Sequence, residues 1–217
     1  MEMKRILIAV LLALSSCAPA PAPTATPQVT HIFASLSTRQ WLAGAYNCAE
    51  KNQLILIKVN DPALAEIRIG LGEPENWQGS LYQIGQDDIV IAASSDSPLE
   101  SLSREQAGGL FRTSDINDPQ IWAFSGGEDI QKIFNREILP GEKITSLARM
   151  AVSVEKMSDG LAQDPHAIGI LPAHALTPAL KELYAIRNVP ILAMTPTQPA
   201  GSVKILLACL QQANNKE

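Results

Sequence analysis

Hydrophobic residues recur in two alternating patterns after residue 31. Apolar runs of strand length, such as residues 54–59 (LILIKV), alternate with segments close to the helical period, such as residues 38–51. We expect residues 54–59 to be a strand buried on both faces, and residues 189–194 to lie near an edge or strand start because Pro190 lacks an N–H. The alternation predicts an α/β domain with mainly parallel pairing. Further predicted strands are 32–34, 67–69, 88–93, 121–124 and 167–171, and further predicted helices are 103–111, 127–139, 151–162 and 202–212.

The N-terminal segment follows a different pattern. Lys4 and Arg5 precede the apolar residues 6–14, a run far shorter than the roughly 20 residues of a membrane-spanning helix. This order of charge and apolar run is typical of a signal peptide. Residues 14–17 (LSSC) resemble a bacterial lipobox, which implies that Cys17 is lipidated. The alternative is an ordinary secretory signal that contains a cysteine.

A proline-rich stretch follows Cys17. Four prolines between Pro19 and Pro27 exclude a helix and favour extended polyproline II. At about 3.1 Å per residue this stretch could hold a domain roughly 40 Å from a membrane, and a disordered tail would tether it equally well. We therefore assign residues 1–16 to a lipoprotein signal peptide and residues 17–30 to a lipid-anchored tether outside the cytoplasm.

Composition and charge narrow the classes of partner. The 217 residues are 46% hydrophobic, enough for one domain or two small lobes. The net charge of -5 argues against a broadly basic nucleic-acid binder. Loss of residues 1–16 removes Glu2, Lys4 and Arg5, which leaves 15 basic and 21 acidic residues and a net charge of -6.

Three segments of the predicted domain carry a family resemblance. Residues 88–111 (DIVIAASSDSPLESLSREQAGGLF) resemble the crossing strand and the following helix of phosphate-type periplasmic substrate-binding proteins of ABC transporters. Residues 121–139 resemble that family's next strand, anion loop and helix, and residues 151–171 resemble its V-x-x-V helix and A-I-G strand. The motif order holds over residues 31–213.

The resemblance implies a small version of the two-lobed type 2 periplasmic-binding-protein fold. The chain would pass from lobe 1 to lobe 2 and return to lobe 1. Lobe 1 would comprise residues 31–88 and 188–213, and lobe 2 residues 89–187, with hinges near Asp88 and Asn188.

The resemblance also implies a ligand site between the lobes, at helix N-termini that favour anions. Residues 34–38 resemble the family's G-S-S-T loop, although N-capping by Ser37 or Thr38 is an alternative use of these hydroxyls. The second loop departs from the family, because Leu71 and Gly72 replace the Ser and Arg that hold phosphate. The implied ligand-binding residues are Ser35, Ser37, Thr38, Gly70, Gly72, Ser125, Gly126 and Gly127.

The third loop allows two alignments. Counting back from Phe134 places Glu128, Asp129 and Ile130 where the family has S-G-T, and a carboxylate there would repel phosphate. A shifted alignment places residues 125–127 in the loop, and Ser125 and Glu128 are also spaced as a capping box. Residues 93–186 contain 8 basic and 13 acidic side chains, so no basic field attracts anions. Phosphate itself is therefore a doubtful ligand.

Other chemistry has little support in the residues. Cys48 and Cys209 lie on predicted helices of lobe 1 and could form a disulfide in an oxidising compartment, or remain two buried thiols. The three histidines lack metal-ligand spacing, so we expect neither metal nor cofactor. Ser153 and Lys156 match S-x-x-K, but the second motif lies on the same helix and no K-T-G follows, so we expect no enzyme. We expect Trp41, Trp77 and Trp122 to be core or cleft-edge residues rather than a platform that stacks on sugars, and Trp77, in the Gly-rich residues 70–79, is the one candidate for such a platform.

The sequence therefore predicts an extracytoplasmic, lipid-anchored solute-binding protein of the ABC-transporter type. It would hold a small ligand, with anions among the candidates, in the interlobe cleft and deliver it to a membrane permease. The alternative is a non-transport envelope lipoprotein, a sensor or interaction module, that keeps the fold and has a degenerate ligand site.

Overall fold

The computed structural model describes residues 28–112 and 119–214. The predicted signal peptide, the lipidation site Cys17 and residues 17–27 of the tether lie outside these ranges. Among the helices of the described ranges, none combines the length and apolar character needed to cross a membrane.

Eight strands and five α-helices make up the described chain. The strands are β1 (Val29–Ala34), β2 (Ile55–Lys58), β3 (Ile67–Leu71), β4 (Ser80–Ser94), β5 (Gln120–Ala123), β6 (Arg149–Met150), β7 (Ala167–Pro172) and β8 (Leu180–Thr195). The helices are α1 (Trp41–Lys51), α2 (Arg104–Arg112), α3 (Asp129–Ile138), α4 (Val154–Gln163) and α5 (Gly201–Asn214), with 3-10 turns at Leu36–Thr38, Pro62–Leu64 and Ala173–Ala175.

All eight strands form one sheet in the order β2-β1-β3-β8-β4-β7-β5-β6. The long strands β4 and β8 pair with each other along their whole length, from Ser80 opposite Thr195 to Ser94 opposite Leu180. One half of this pair continues through β3 into the first lobe, and the other half continues through β7 into the second. We refer to these two halves of the sheet and their helices as lobe 1 and lobe 2.

The prediction of mainly parallel pairing describes the lobes but not their junction. The strands β1, β2 and β3 pair in parallel, as do β5, β6 and β7. The three central pairings, β3 with β8, β8 with β4 and β4 with β7, are antiparallel. The sheet is therefore mixed, because the two crossing strands run in opposite directions between the lobes.

The position of Pro190 was predicted wrongly. It lies inside the central strand β8, opposite Gln86, rather than near an edge or strand start. The β4–β8 ladder shifts register between Gln83 and Gly85 and again between Asp87 and Ile89, and such bulges accommodate a residue without an N–H. The Pro190 carbonyl still accepts a hydrogen bond from the Gly72 N–H at 2.8 Å.

The prediction for residues 54–59 was also wrong in its burial. Strand β2 is the outermost strand of lobe 1 and pairs with β1 alone. Ile55 and Ile57 are 44% and 43% exposed. A continuous apolar run therefore marks an edge strand here, since the periodicity of one strand does not report how many neighbours it has.

A disulfide joins the two ends of lobe 1. Helix α1 packs against α5, and Cys48 on α1 is bonded to Cys209 on α5 across 161 residues of sequence. Their Cα atoms are 5.8 Å apart. The helix that follows β1 and the last helix of the described residues are thus held together covalently.

Candidate functional site

Three loops meet where lobe 1 faces lobe 2. The first follows β1 and contains Ser35, Ser37 and Thr38, and the second consists of residues 70–72, where β3 ends. Because β1 and β3 pair in parallel, their carboxyl ends lie at one edge of the sheet. The third loop, residues 124–128, precedes α3, and α3 packs against both β7 of lobe 2 and β3 of lobe 1.

The first loop is held by its own hydroxyl groups. Ser35 Oγ lies 3.2 Å from Ser37 Oγ and 3.0 Å from Thr38 Oγ1, and all three side chains are buried. The Thr38 hydroxyl donates to the Ile69 carbonyl at 3.0 Å, which ties this loop to β3. N-capping of α1 by Ser37 or Thr38 was wrong, because the residue at the N-cap is Gln40.

The carboxylate of Asp129 enters this group of lobe 1 residues from lobe 2. Its Oδ1 accepts a hydrogen bond from Ser37 Oγ at 2.5 Å, and its Oδ2 accepts one from the Leu71 N–H at 2.7 Å. Oδ1 also accepts from the Ile130 N–H at 2.8 Å. Asp129 begins α3, where the helix dipole favours a negative charge. We call the Ser37 hydroxyl and the Leu71 N–H together the oxyanion cradle.

Gly70 and Gly72 permit the close approach of the lobes. A Cβ at Gly70 would lie 2.7 Å from Met194 Cε and 3.4 Å from Asp129 Oδ2. Gly72 has a φ of +68°, and a Cβ there would lie 2.6 Å from Ile133 Cδ1 of α3. Both predicted site glycines therefore border α3. A Cβ at Gly72 would require the Ile133 side chain to shift and would be strained by the positive φ, whereas a Cβ at Gly70 would require the tip of Met194 to shift.

The third loop brings only part of its predicted residues to the junction. Gly127 lines the cavity described below, whereas Gly126 lines a separate depression beside Phe124. Ser125 Oγ accepts a hydrogen bond from the Gly127 N–H at 3.4 Å, within a turn closed by the Glu128 N–H on the Ser125 carbonyl. The capping box was wrong, since the α3 N-cap is Glu128 and its side chain forms no cap bond.

Glu128 is a second carboxylate at the lobe junction. Burial raises the pKa of Glu128 above its ordinary value, and the adjacent Asp129 charge raises it further. A hydrogen bond from the Leu36 N–H opposes this shift, as do the charges of Arg39 and Lys132. The structure thus places two carboxylates, Glu128 and Asp129, at the interlobe site together with Gly127.

A cavity of about 520 Å³ adjoins the Asp129 carboxylate, and we call it the junction cavity. Arg68 and Trp77 line one side of it, with the guanidinium carbon 5.1 Å from the indole centroid. Arg68 Nε and Trp77 Nε1 are buried and have no hydrogen-bond partner within the described ranges. The charged residues of the lining are Arg68, Glu73, Glu75, Glu128, Asp129, Lys132 and Arg136.

Sequence reasoning named Trp77 but missed Arg68 as a cavity residue. Arg68 interrupts the apolar residues of β3, and its alternation with the buried Ile67 and Ile69 was the available signal.

A second depression of about 550 Å³ lies between the first loop and α4, with Arg39 and His174 in its lining. Among the described residues, no group of three or more histidine, cysteine or acidic side chains could hold a metal ion.

No protein-family model matches this chain, and no curated protein matches it in sequence. Solved structures do match. A substrate-binding protein assigned to a phosphate ABC transporter of Clostridium perfringens, solved with phosphate bound, has a TM-score of 0.71 at 13% identity, over 84% of this chain and 93% of that one. An ABC-type phosphate transport receptor from Vibrio cholerae has a TM-score of 0.67 at 14% identity, over 86% and 95% of the two chains.

Regulatory domains match to a similar degree. A mutant of the OxyR2 regulatory domain from Vibrio vulnificus has a TM-score of 0.67 at 11% identity, over 92% of this chain and 100% of that one. At these identities the likeness is one of fold. The chain has the two-lobed type 2 periplasmic-binding fold, as the sequence predicted.

Proposed function

We propose that this protein is an extracytoplasmic, lipid-anchored binding protein that holds a small molecule in the junction cavity and delivers it to an ABC permease. The observation that carries this proposal is the cavity itself. Its volume of about 520 Å³ lies within the range of roughly 300–1,000 Å³ typical of small-molecule sites. The lining includes the buried Arg68 Nε, which has no hydrogen-bond partner among the residues that the structure describes, and such a donor is costly unless a ligand satisfies it.

The charges of the lining favour a ligand other than phosphate. Asp129 already occupies the oxyanion cradle, and Glu128 adds a second carboxylate beside it. Arg68, stacked on Trp77, instead offers a planar donor suited to a carboxylate. We therefore expect a ligand with one acidic group for Arg68 and a neutral or basic part near the acidic residues.

Two features support the extracytoplasmic part of the proposal. The disulfide between Cys48 and Cys209 belongs to the class of bonds that persist in oxidising compartments. The N-terminal residues 1–16 have the pattern of a lipoprotein signal peptide.

A thermal-shift screen tests the binding proposal. The panel would contain phosphate, sulfate, molybdate, organic acids and amino acids. A ligand at 100 times its dissociation constant stabilises the folded state by about 2.7 kcal/mol. Arg68→Gln should abolish this shift, because it removes the guanidinium that lines the cavity beside Trp77 and has a buried Nε free for a ligand.

Arg149→Gln is the matched control for this screen. Arg149 also stacks on a tryptophan, with its guanidinium carbon 5.8 Å from the Trp122 ring, but it lies on β6 and outside the junction cavity. The shift should survive in this variant. A flat screen with the wild-type protein, or equal loss in both variants, would contradict the proposal.

One observation favours a second function, a non-transport envelope lipoprotein with the same fold. The Asp129 carboxylate already bridges the lobes, so the closed arrangement needs no solute. Such a protein would act as a sensor or interaction module through its surface. A flat solute screen together with unchanged folding would support this alternative.

A further inference from the structure

We infer that Asp129 is a tethered ligand: its carboxylate takes the place of a free oxyanion in the oxyanion cradle, joins the two lobes without a bound solute, and excludes free oxyanions from the cradle. This inference goes beyond the proposed function, since it holds whichever solute the junction cavity takes.

The bonding of the carboxylate is that of a bound anion. Each of its oxygens accepts a hydrogen bond from a lobe 1 group, Ser37 Oγ at 2.5 Å and the Leu71 N–H at 2.7 Å. These donors lie 92 and 58 residues away in sequence, on two different loops. Hydrogen bonds to an ionised acceptor are about twice as strong as neutral ones, so this pair contributes to holding the lobes together.

The cradle is held in place by contacts that do not involve Asp129. Ser35 Oγ contacts both Ser37 Oγ and Thr38 Oγ1, and Thr38 is bonded to the Ile69 carbonyl. The Leu71 N–H is fixed by the pairing of β3 with β8. We therefore expect the donors to keep their positions when the carboxylate is removed, and to accept a small free anion in its place.

The position of Asp129 also explains why a free oxyanion would not bind beside it. Gly70 borders the carboxylate closely, since a Cβ at Gly70 would already be in van der Waals contact with Asp129 Oδ2, at 3.4 Å. A second anion would compete for the same donors and would meet the charges of Asp129 and Glu128 at short range.

Chemical rescue of Asp129→Ala tests the inference. Alanine and formate together replace the atoms of the aspartate side chain, so sodium formate should stabilise this variant more than equimolar sodium chloride does. At a formate concentration ten times the dissociation constant, the unfolding equilibrium constant should fall about tenfold. The readout is urea unfolding of the full chain at constant ionic strength.

Three controls make the rescue specific. Asp129→Asn fills the cradle with a neutral side chain and should show no formate effect, and neither should the wild type. Glu105→Ala removes another first-turn carboxylate, on α2 and outside the junction cavity, and should respond to formate no more than to chloride. Equal effects of formate and chloride on Asp129→Ala, or a formate effect on all four proteins, would overturn the inference.

A double-mutant cycle keeps the test decisive if Asp129→Ala does not fold. Ser37→Ala should raise the equilibrium constant of unfolding in both backgrounds. The factor should be at least about twice as large in the wild type as in Asp129→Asn, because the charge-assisted bond is present only in the wild type. An equal factor in both backgrounds would mean that the carboxylate is not held by the cradle. A flat solute screen bears on the proposed function alone and leaves this outcome unchanged.

Discussion

Glu128 and Asp129 are adjacent carboxylates with different environments. Asp129 receives hydrogen bonds from Ser37, Leu71 and Ile130, which compensate its charge. Burial raises the pKa of Glu128, and the Asp129 charge adds to the shift. The ionised form of Glu128 is therefore unfavourable in the folded protein relative to the unfolded chain.

This difference predicts a pH-dependent effect of Glu128→Gln. A raised folded-state pKa means that the contribution of Glu128 to stability is fully present below its ordinary pKa of 4.5 and is lost as the pH rises through the folded-state value. Glutamine keeps an acceptor for the Leu36 N–H but has no charge. The variant should therefore gain stability relative to the wild type as the pH rises from about 4 to 7, measured by urea unfolding at several pH values.

Glu155→Gln is the control with the opposite sign. A hydrogen bond from Ser153 lowers the pKa of Glu155, as does one from its own backbone N–H, so its stabilisation is present above the ordinary pKa and lost as the pH falls. This variant should lose stability relative to the wild type over the same rise in pH. The same trend in both variants would contradict the assignment of Glu128.

At the scale of elements, side-chain hydrogen bonds link the crossing strands β4 and β8 at the point where they pass between the lobes. Asn188 has a φ of 57°, and its N–H donates to Asp88 Oδ1 at 2.7 Å. Arg187 donates to Asp88 Oδ2, also at 2.7 Å, and contacts Glu182. Burial acts to raise the pKa of Asp88, but the bonds from Arg187 and Asn188 outweigh it and the pKa lies below its usual value. The register shift between Asp87 and Ile89 takes the Asn188 N–H out of the β4–β8 ladder, and the Asp88 carboxylate accepts its hydrogen bond instead.

The contact between α1 and α5 carries a prediction of its own. A Cys48→Ala/Cys209→Ala double variant should lose about 2–5 kcal/mol of unfolding free energy, because the disulfide restricts the unfolded chain over a long loop. Urea unfolding without reductant measures the loss, and the wild type with reductant should approach the variant. Two thiols reactive in denatured, unreduced Cys17→Ala protein would show that the bond does not form.

At the scale of the molecule, one sheet serves two lobes and positions the site without dictating its ligand. The same fold occurs in phosphate-binding transport proteins and in regulatory domains. Function on a shared fold depends on the residues of the site. In this chain the proposed site contains the Asp129 carboxylate in its cradle and Arg68 in the junction cavity.

The proposed lipid anchor is also a property of the whole molecule. Cys17→Ala should move the protein from the detergent phase to the aqueous phase in a phase-partition experiment, because the acylated residue would be lost. The matched control is Cys48→Ala, which removes a cysteine of the domain and should leave partitioning unchanged. Unchanged partitioning of Cys17→Ala would contradict the lipobox interpretation.

The local pattern of the sequence was enough to determine the alternation of strands and helices, and motif order was enough for the fold class. Periodicity reports whether one face of a segment is buried, and it placed the ends of strands such as β3 and β7 to within two residues. It did not report pairing partners. The first half of β8, residues 180–188, was therefore missed, and β2 was taken for a buried strand.

Only the tertiary structure decided how the site is occupied. The sequence raised carboxylates at Glu128 and Asp129 as a reason against phosphate, but left two alignments open. Asp129 is separated by 92 residues of sequence from Ser37 and by 58 from Leu71, and no local sequence pattern predicts contacts over such separations. The parallel pairing of β1 with β3 and the packing of α3 against β3 bring these residues together, and this long-range packing makes Asp129 a ligand of its own protein.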